Sequence, residues 1–266
     1  MPAADSTWPA TVGVIGAGAM GGAFAAGIAR AATPPRILVA DAVDEVAAHG
    51  AAGCGGDVAD VAQAAACDVV VLAVKPKDVP EALEAVRARH GDPPVLVSVA
   101  AGWDLARLRR EIPTGGIVRT MPNLAVRHGA GLVALATADL PRDRHAAVLR
   151  LLAPLGEVVE VDESLFPAAT ALAGSGPGLV ALMAEGLEEG GVRAGLSRAQ
   201  ARAMGRAVLE GVAALLADGQ DPAALRQRVS SPAGTTVEGI AVLERGAVRA
   251  HIADAVVAAA EKSKAM

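Results

Sequence analysis

"VGVIGAGAMGGAFAAGIAR", residues 12–30, decides how this chain is read. Val12 to Ile15 is a short, largely β-branched run. It leads into Gly16, Gly18 and Gly21, spaced G-x-G-x-x-G, and then into an Ala-rich stretch of helical character. In a strand–loop–helix turn each glycine has its own task. The first permits a tight turn, the second lets a pyrophosphate approach the backbone, and the third lets helix and strand pack closely. Gly16, Gly18, Ala19, Met20 and Gly21 are therefore expected to form a dinucleotide-binding loop.

Working outward, the same texture recurs. "RILVAD" (36–41), "DVVVLAVKP" (68–76), "PVLVSVAAG" (94–102) and "IVRTMPN" (117–123) are short apolar runs bounded by Gly, Pro or Asp, with helical patterns between them. Runs that are apolar on both faces suit the buried strands of a parallel sheet with helical crossovers. "GLVALA" (131–136) and "GEVVEVD" (156–162) complete the set. The expected class is α/β: an N-terminal Rossmann-type, doubly wound parallel sheet over residues 1–162.

Beyond Asp162 the strand-like runs stop, and residues 163–266 read as an all-helical domain. Ser197 with Gln200 forms a capping box for a helix running toward Leu216 and stopping near Gly219, Asp221-Pro222 opens another, and a last helix spans roughly 247–264. Helices this apolar need partners, so this domain is expected to pack against itself in an oligomer.

Asp41, about 20 positions beyond the glycine loop, stands where a carboxylate accepts hydrogen bonds from the ribose of NAD and repels the extra phosphate of NADP. The following Ala42-Val43-Asp44-Glu45 supplies no arginine for that phosphate, so NADH is favoured over NADPH. Ala73, Val74, Lys75 and Pro76 lie at the carboxyl end of a strand, where ligands of open α/β sheets sit, and are taken as cofactor contacts. Lys75 is as readily a solvated lysine.

Composition narrows the partners. The chain has 266 residues, 53% hydrophobic and 2% aromatic, with no tyrosine and a formal net charge of -5. So few rings and so acidic a balance argue against a nucleic-acid partner. Cys54 and Cys67 are too few and too far apart for a disulfide framework, and none of His49, His90, His128, His145 and His251 has metal-ligand spacing to another, so no metal is expected. "MPAADSTWPA" lacks the regions of a signal peptide, and no uninterrupted apolar run is long enough for a bilayer. A soluble, cytoplasmic protein is expected. Glu185, Glu188 and Glu189 read as a solvated helix face.

One stretch resists a plain reading. "ALAGSGPGLVALMAEGLEEGG" (171–191) has helical spacing from Leu179 but begins with three glycines and a proline. A helix interior tolerates these poorly, at about 1 kcal/mol per glycine, so the stretch is read as a helix N-terminus whose free N–H groups hold an anion. A plain Gly-Pro turn is the alternative.

With the glycine loop, "LAVKP", "SVAAG", "RTMPN", "ALAGSGPG" and "SSPAGTTVEGI" in this order, the chain resembles pyrroline-5-carboxylate reductase from end to end. The resemblance implies reduction of the cyclic imine Δ1-pyrroline-5-carboxylate to L-proline with NADH or NADPH. It also implies a helical domain that interlocks with its partner's in a homodimer, some dimers assembling into decamers. Gly174, Ser175 and Gly176, with Gly234, Thr235 and Thr236, would then hold the substrate carboxylate. Thr236 matches the hydroxyl thought to hydrogen-bond the imine nitrogen and is the expected catalytic residue. Ala100 and Asn123 would lie near the nicotinamide. For the threonines the plain alternative is helix capping, and for Asn123 a turn.

The chain departs from the family pattern at Ala173 (usually serine), Leu179 (tyrosine), Ala233 (a second glycine), Leu124-Ala125 (Thr-Pro) and Ala207-Val208 (Gln-Thr). These losses of polar groups keep two rivals in view: a reductase of another cyclic imine, such as a piperideine carboxylate, and a dinucleotide-binding protein without catalysis. A glycine-loop hydroxyacid dehydrogenase would need a catalytic lysine in the helical domain, where the only lysines are Lys262 and Lys264 at the extreme C-terminus.

Overall fold

A computed structural model describes residues 8–112 and 115–265. Eight strands form one sheet: β1 (Thr11–Ile15), β2 (Arg36–Ala40), β3 (Asp57–Val58), β4 (Val69–Leu72), β5 (Val95–Ser98), β6 (Ile117–Pro122), β7 (Gly131–Ala138) and β8 (Gly156–Glu160). Six helices join them: α1 (Ala19–Ile28), α2 (Asp44–Cys54), α3 (Val61–Ala65), α4 (Val79–Ala88), α5 (Leu105–Glu111) and α6 (Arg142–Leu152). The strand order is β3-β2-β1-β4-β5-β6-β7-β8, so the chain reverses direction across the sheet between β1 and β4. Ligand crevices of doubly wound sheets open at such a switch point.

Alternation along each strand feeds two cores. Val12, Val14, Val69 and Val71 turn to one face, where they pack with Phe24 and Ile28 of α1 and Val148 and Leu152 of α6. Ile15, Val70 and Leu72 turn to the other, with Leu83 of α4, Leu108 of α5 and Trp103. Gly13 of β1 has a different role. A Cβ there would run into the backbone carbonyl of Ala64, so α3 lies directly on the strand.

Two features of the sheet differ from the sequence reading. β3, a two-residue edge strand exposed along its length, pairs with Leu38 and Val39 and carries no apolar run to announce it. β7 pairs with β6 antiparallel, Thr120 opposite Leu135, whereas every other pair is parallel. The short 3-10 turn Leu124–His128 between them is too brief for a crossover helix, so the chain doubles back.

The largest difference concerns "ALAGSGPG". A helix starts inside this stretch, but a helical turn runs straight into it and leaves no open N-terminus. After a 3-10 turn over Glu163–Leu165 comes α7 (Phe166–Thr170), which passes through a π-helical turn, Ala171–Ser175, into α8 (Gly176–Arg193). The π turn carries the chain past Pro177, which lacks an N–H, without ending the helical run. Glu163–Arg193 is a single helical run of 31 residues, long and apolar enough by length and composition alone to cross a membrane, though Glu185, Glu188 and Glu189 interrupt its apolar sequence.

The remaining helices are α9 (Arg198–Ala217), α10 (Pro222–Arg228), α11 (Thr235–Arg245) and α12 (Val248–Lys264). By contacts the chain divides into one unit ending at Gly174, which also takes in the chain from Ala260, and a helical unit, Ser175–Ala259. Within the helical unit α8 and α9 pack together. The Ser197–Gln200 capping box is formed, and Asp221 caps α10 through Ala223 and Ala224 N–H, each 3.0 Å from Oδ1. Glu188 of α8 receives Arg198 at 3.4 Å and Arg202 at 3.3 Å. It is therefore a bridge to α9 rather than part of a solvated face, and the Arg202 hydrogen bond, ahead of Arg198, holds its carboxyl below the usual glutamate value. Among the described residues of this unit only Ala201 is buried apolar. Leu182, Leu187, Met204, Val208 and Val242 are exposed.

Candidate active site

The three motif glycines divide their work as the mechanics require. Gly16 has φ +94°, and a Cβ on it would lie 2.7 Å from the Ala73 carbonyl carbon and 2.8 Å from Val74 N. Gly21 would run into the Gly16 carbonyl oxygen, so α1 rests directly on the loop. Around Gly18 nothing lies within 4 Å of where a Cβ would stand. Two glycines are needed by the chain itself, and the third leaves open backbone at the N-terminus of α1, where first-turn N–H groups and the dipole favour a phosphate.

Asp41, just beyond β2, does more than await a ribose. Its Oδ2 accepts from Ala17 N–H at 2.7 Å and its Oδ1 from Val43 N–H at 3.0 Å, bracing the glycine loop against the next one. Each carboxylate oxygen still has lone-pair capacity for a ribose hydroxyl. The residues present thus fit a dinucleotide: an open anion-binding turn with a fixed acid beside it.

Pro76, in the 3-10 turn Pro76–Asp78, is held by its carbonyl, which accepts from Trp103 Nε1 at 3.1 Å. Lys75 is exposed and Ala73 and Val74 half-buried, whereas Ala100 is buried, 5% exposed, its N–H donating to Ser98 Oγ at 3.3 Å. Asn123 caps the turn after β6, Oδ1 accepting from Ala125 N–H at 3.1 Å and Leu132 N–H at 3.4 Å. Its oxygen is spent on the loop, and its amide donors remain for a ligand.

The sequence reading missed the residue that fastens this loop. Arg30, just after α1, donates through Nη1 to Ala26 O (3.3 Å) and Arg127 O (3.1 Å). Through Nη2 it donates to Val126 O (2.9 Å) and Pro154 O (3.0 Å). One guanidinium collects carbonyls from three segments, using the fork that lysine lacks. Sequence offers no signal for this, because the partners lie up to 124 positions away.

At "SSPAGTT" the structure supplies the helix start the sequence suggests. α11 begins at Thr235 with Gly234 as its N-cap and no side-chain cap, so neither threonine caps it. A Cβ at Gly234 would run into Ser231 Oγ, and Ala233 takes φ +57°, a left-handed value that explains a family preference for glycine there. Among the described residues, no hydrogen bond engages the Thr235 or Thr236 hydroxyl.

The "AGSGPG" positions behave differently. Gly174 and Ser175 are exposed and Gly176 half-buried, and nothing of this chain lies within 4 Å of a Cβ placed on Gly176 or Gly178. Of the departures, Ala173 is fully buried. Leu179 lines an apolar groove of about 240 Å³ with Leu182, Met183, Val248 and Ile252. Cys54 and Cys67 are free, and burial pushes both thiols above their ordinary value.

A glycine loop on a switch-point sheet, with an acid fixed beside it, defines a NAD(P)H-dependent oxidoreductase. A family model described as "NADP oxidoreductase coenzyme F420-dependent" matches residues 11–102, and one described as "Pyrroline-5-carboxylate reductase dimerisation" matches residues 163–266. The chain is 39% identical over 199 residues to the pyrroline-5-carboxylate reductase of Synechocystis, covering 74% of each. It is 36% identical to that of Glycine max, over 96% of this chain and 95% of the relative. The structure is similar to that of the pyrroline-5-carboxylate reductase of Coxiella burnetii, at a TM-score of 0.88 with 28% identity over 96% of this chain and 97% of that one. The Plasmodium falciparum enzyme, solved with NADP bound, matches at 0.80 with 26% identity over 96% and 97%. The chain belongs to the pyrroline-5-carboxylate reductase family.

Proposed function

We propose that this chain reduces Δ1-pyrroline-5-carboxylate to L-proline, with residues 1–162 holding the dinucleotide and residues 163–266 serving dimerisation and substrate binding. Bound at the Gly16–Gly21 loop, the reduced nicotinamide supplies the hydride. The rest of the task is placement, because a cyclic imine is readily protonated near neutral pH and needs chiefly to be oriented. Gly174, Ser175 and Gly176 together with Gly234 and Thr235 border the carboxylate, which the Ser175 and Thr235 hydroxyls and the first-turn N–H groups of α11 hold, the Gly234 N–H being spent on Ser231 O at 2.9 Å. Thr236 donates its hydroxyl proton in a hydrogen bond to the imine nitrogen. Ala73, Val74, Lys75, Pro76, Ala100 and Asn123 border the cofactor, and the Asn123 amide, its oxygen already committed, offers donors only.

The observation that carries this reading is the free end of α11: a helix start whose cap is a glycine, with two threonine hydroxyls that no hydrogen bond engages among the described residues. The braced carboxylate of Asp41 supports NADH as the preferred cofactor. The exposed apolar faces of α8, α9 and α11 support a homodimer through the helical unit, with decamers open to dimers of this kind; a soluble, cytoplasmic location is part of the same proposal. Initial rates of pyrroline-5-carboxylate reduction with NADH and NADPH side by side test this. Turnover faster with NADH is expected. Faster turnover with NADPH removes the role of Asp41, and cofactor binding without turnover removes the substrate.

A further inference from the structure

Arg119 of β6 takes no part in the chemistry described so far, yet it is more deeply placed than any other ion-paired arginine. Its side chain is 15% exposed. Nη1 donates to Glu163 Oε1 at 2.6 Å, and the guanidinium carbon stands 4.0 Å from the centre of the Phe166 ring, itself 1% exposed. Glu163 Oε1 also accepts from Leu105 N–H, at the head of α5, at 3.2 Å. One strand residue therefore grips the first turn of the Glu163–Arg193 run by an ion pair and a cation–π contact, and ties α5 into the same point.

The same strand meets this run again at its π turn. Side chains two apart on a strand share a face, and two residues beyond Arg119 the Met121 sulfur lies 3.8 Å from where a Cβ of Gly174 would stand. Between these contacts the run carries the α7 turn and the π turn that place Gly174. A pair buried this far contributes little net stability, because desolvation offsets the attraction, and its usual value lies in specifying one geometry over others. Arg119 Nε and Glu163 Oε2 are buried without hydrogen-bond partners, which fits a pair held for position rather than for energy.

We infer that Arg119, through Glu163 and Phe166, is a positioning residue that sets where Gly174 meets the substrate carboxylate. This rests on the carboxylate role proposed above for Gly174. The readout is the KM for pyrroline-5-carboxylate, measured beside the KM for NADH, kcat and the thermal midpoint. The double variant Arg119→Met with Glu163→Leu keeps an apolar filling without a stranded charge. Glu163→Gln keeps the shape and the Leu105 contact while losing the charge, so it carries the test if the double variant does not fold.

Both are expected to raise the KM for pyrroline-5-carboxylate, the double variant by about tenfold, with kcat and the KM for NADH within twofold of the parent. An interaction lost equally from ground and transition states reads out in this way. An unchanged substrate KM in the folded variants overturns the inference, as does a parallel rise in both KM values, which means general loosening. Gly174→Ala and Ser175→Ala are measured alongside. If they raise the substrate KM while the Arg119 and Glu163 variants do not, the carboxylate site stands and the inference falls. If they leave it unchanged, the carboxylate reading falls and takes the inference with it.

Discussion

The sheet and the helical unit solve the problem of burial in opposite ways. In the sheet, Val12, Val14, Val71, Val97, Phe24 and Leu152 are all below 2% exposed, closed in on both faces by the chain's own helices. Between Ser175 and Ala259 only Ala201 is buried apolar, and Val180, Leu182, Leu187, Met204 and Val257 stand exposed. The same Ala/Val/Leu vocabulary thus writes a finished core in one region and an unfinished one in the other. A unit that exposes so much apolar surface is built for association. On the dimer proposed above, stability in the first region belongs to the chain, and in the second to the assembly.

This contrast can be broken from either side. Phe24→Ala in the sheet removes a fully buried ring and should cost about 3–5 kcal/mol, read by denaturant unfolding at fixed protein concentration. A loss below 1 kcal/mol would mean that the core is less complete than its burial indicates. Leu182→Lys with Val208→Lys should leave the sheet's own unfolding nearly unchanged and reduce the sedimenting mass to one chain, with loss of activity. A variant that stays a full assembly would locate the interface elsewhere.

Smaller effects sharpen the picture inside the helical unit. Ala233→Gly relieves a left-handed alanine and should stabilise by about 1 kcal/mol, seen as a raised thermal midpoint. Glu188→Gln should have the smallest effect, and a pH-dependent one. Because the folded carboxyl lies below its unfolded value, near 4.3, its contribution is present above that pH and fades as pH falls through the lower folded value. The variant's thermal midpoint should therefore trail the parent's slightly at pH 7 and converge on it as pH falls below the folded value. A gap that persists in acid would assign the effect to something other than the arginine pair.

How much of this could be read in advance depended on whether the cause was local. The apolar runs that became β1, β2, β4 and β5, the glycine loop and the Ser197 capping box are decided by neighbours in sequence, and each lies where the residues indicate. β3 escaped because an exposed two-residue edge strand needs no apolar signature. The "AGSGPG" stretch misled because glycine and proline are penalties for an α-helix but not for a π turn that passes over the missing N–H. Arg30, Arg119 and the strut made by Asp41 were invisible as partners, since their contacts span 24 to 124 positions. The threonines at 235 and 236 were legible as a helix start, and their freedom from capping was not.

Gly13 carries a last consequence. With the Ala64 carbonyl occupying the place of its missing Cβ, and α3 fastened at that depth by the Asp60–Gln63 capping box, the strand and the helix have no slack between them. Any side chain at Gly13 must lift α3 off the sheet, and no change at Ala64 can make room, because the obstacle is main chain. The two segments are thus committed to each other historically as well as physically: a lineage that loses this glycine must rebuild the route from β3 to β4 in the same stroke, and drift one residue at a time is closed to it.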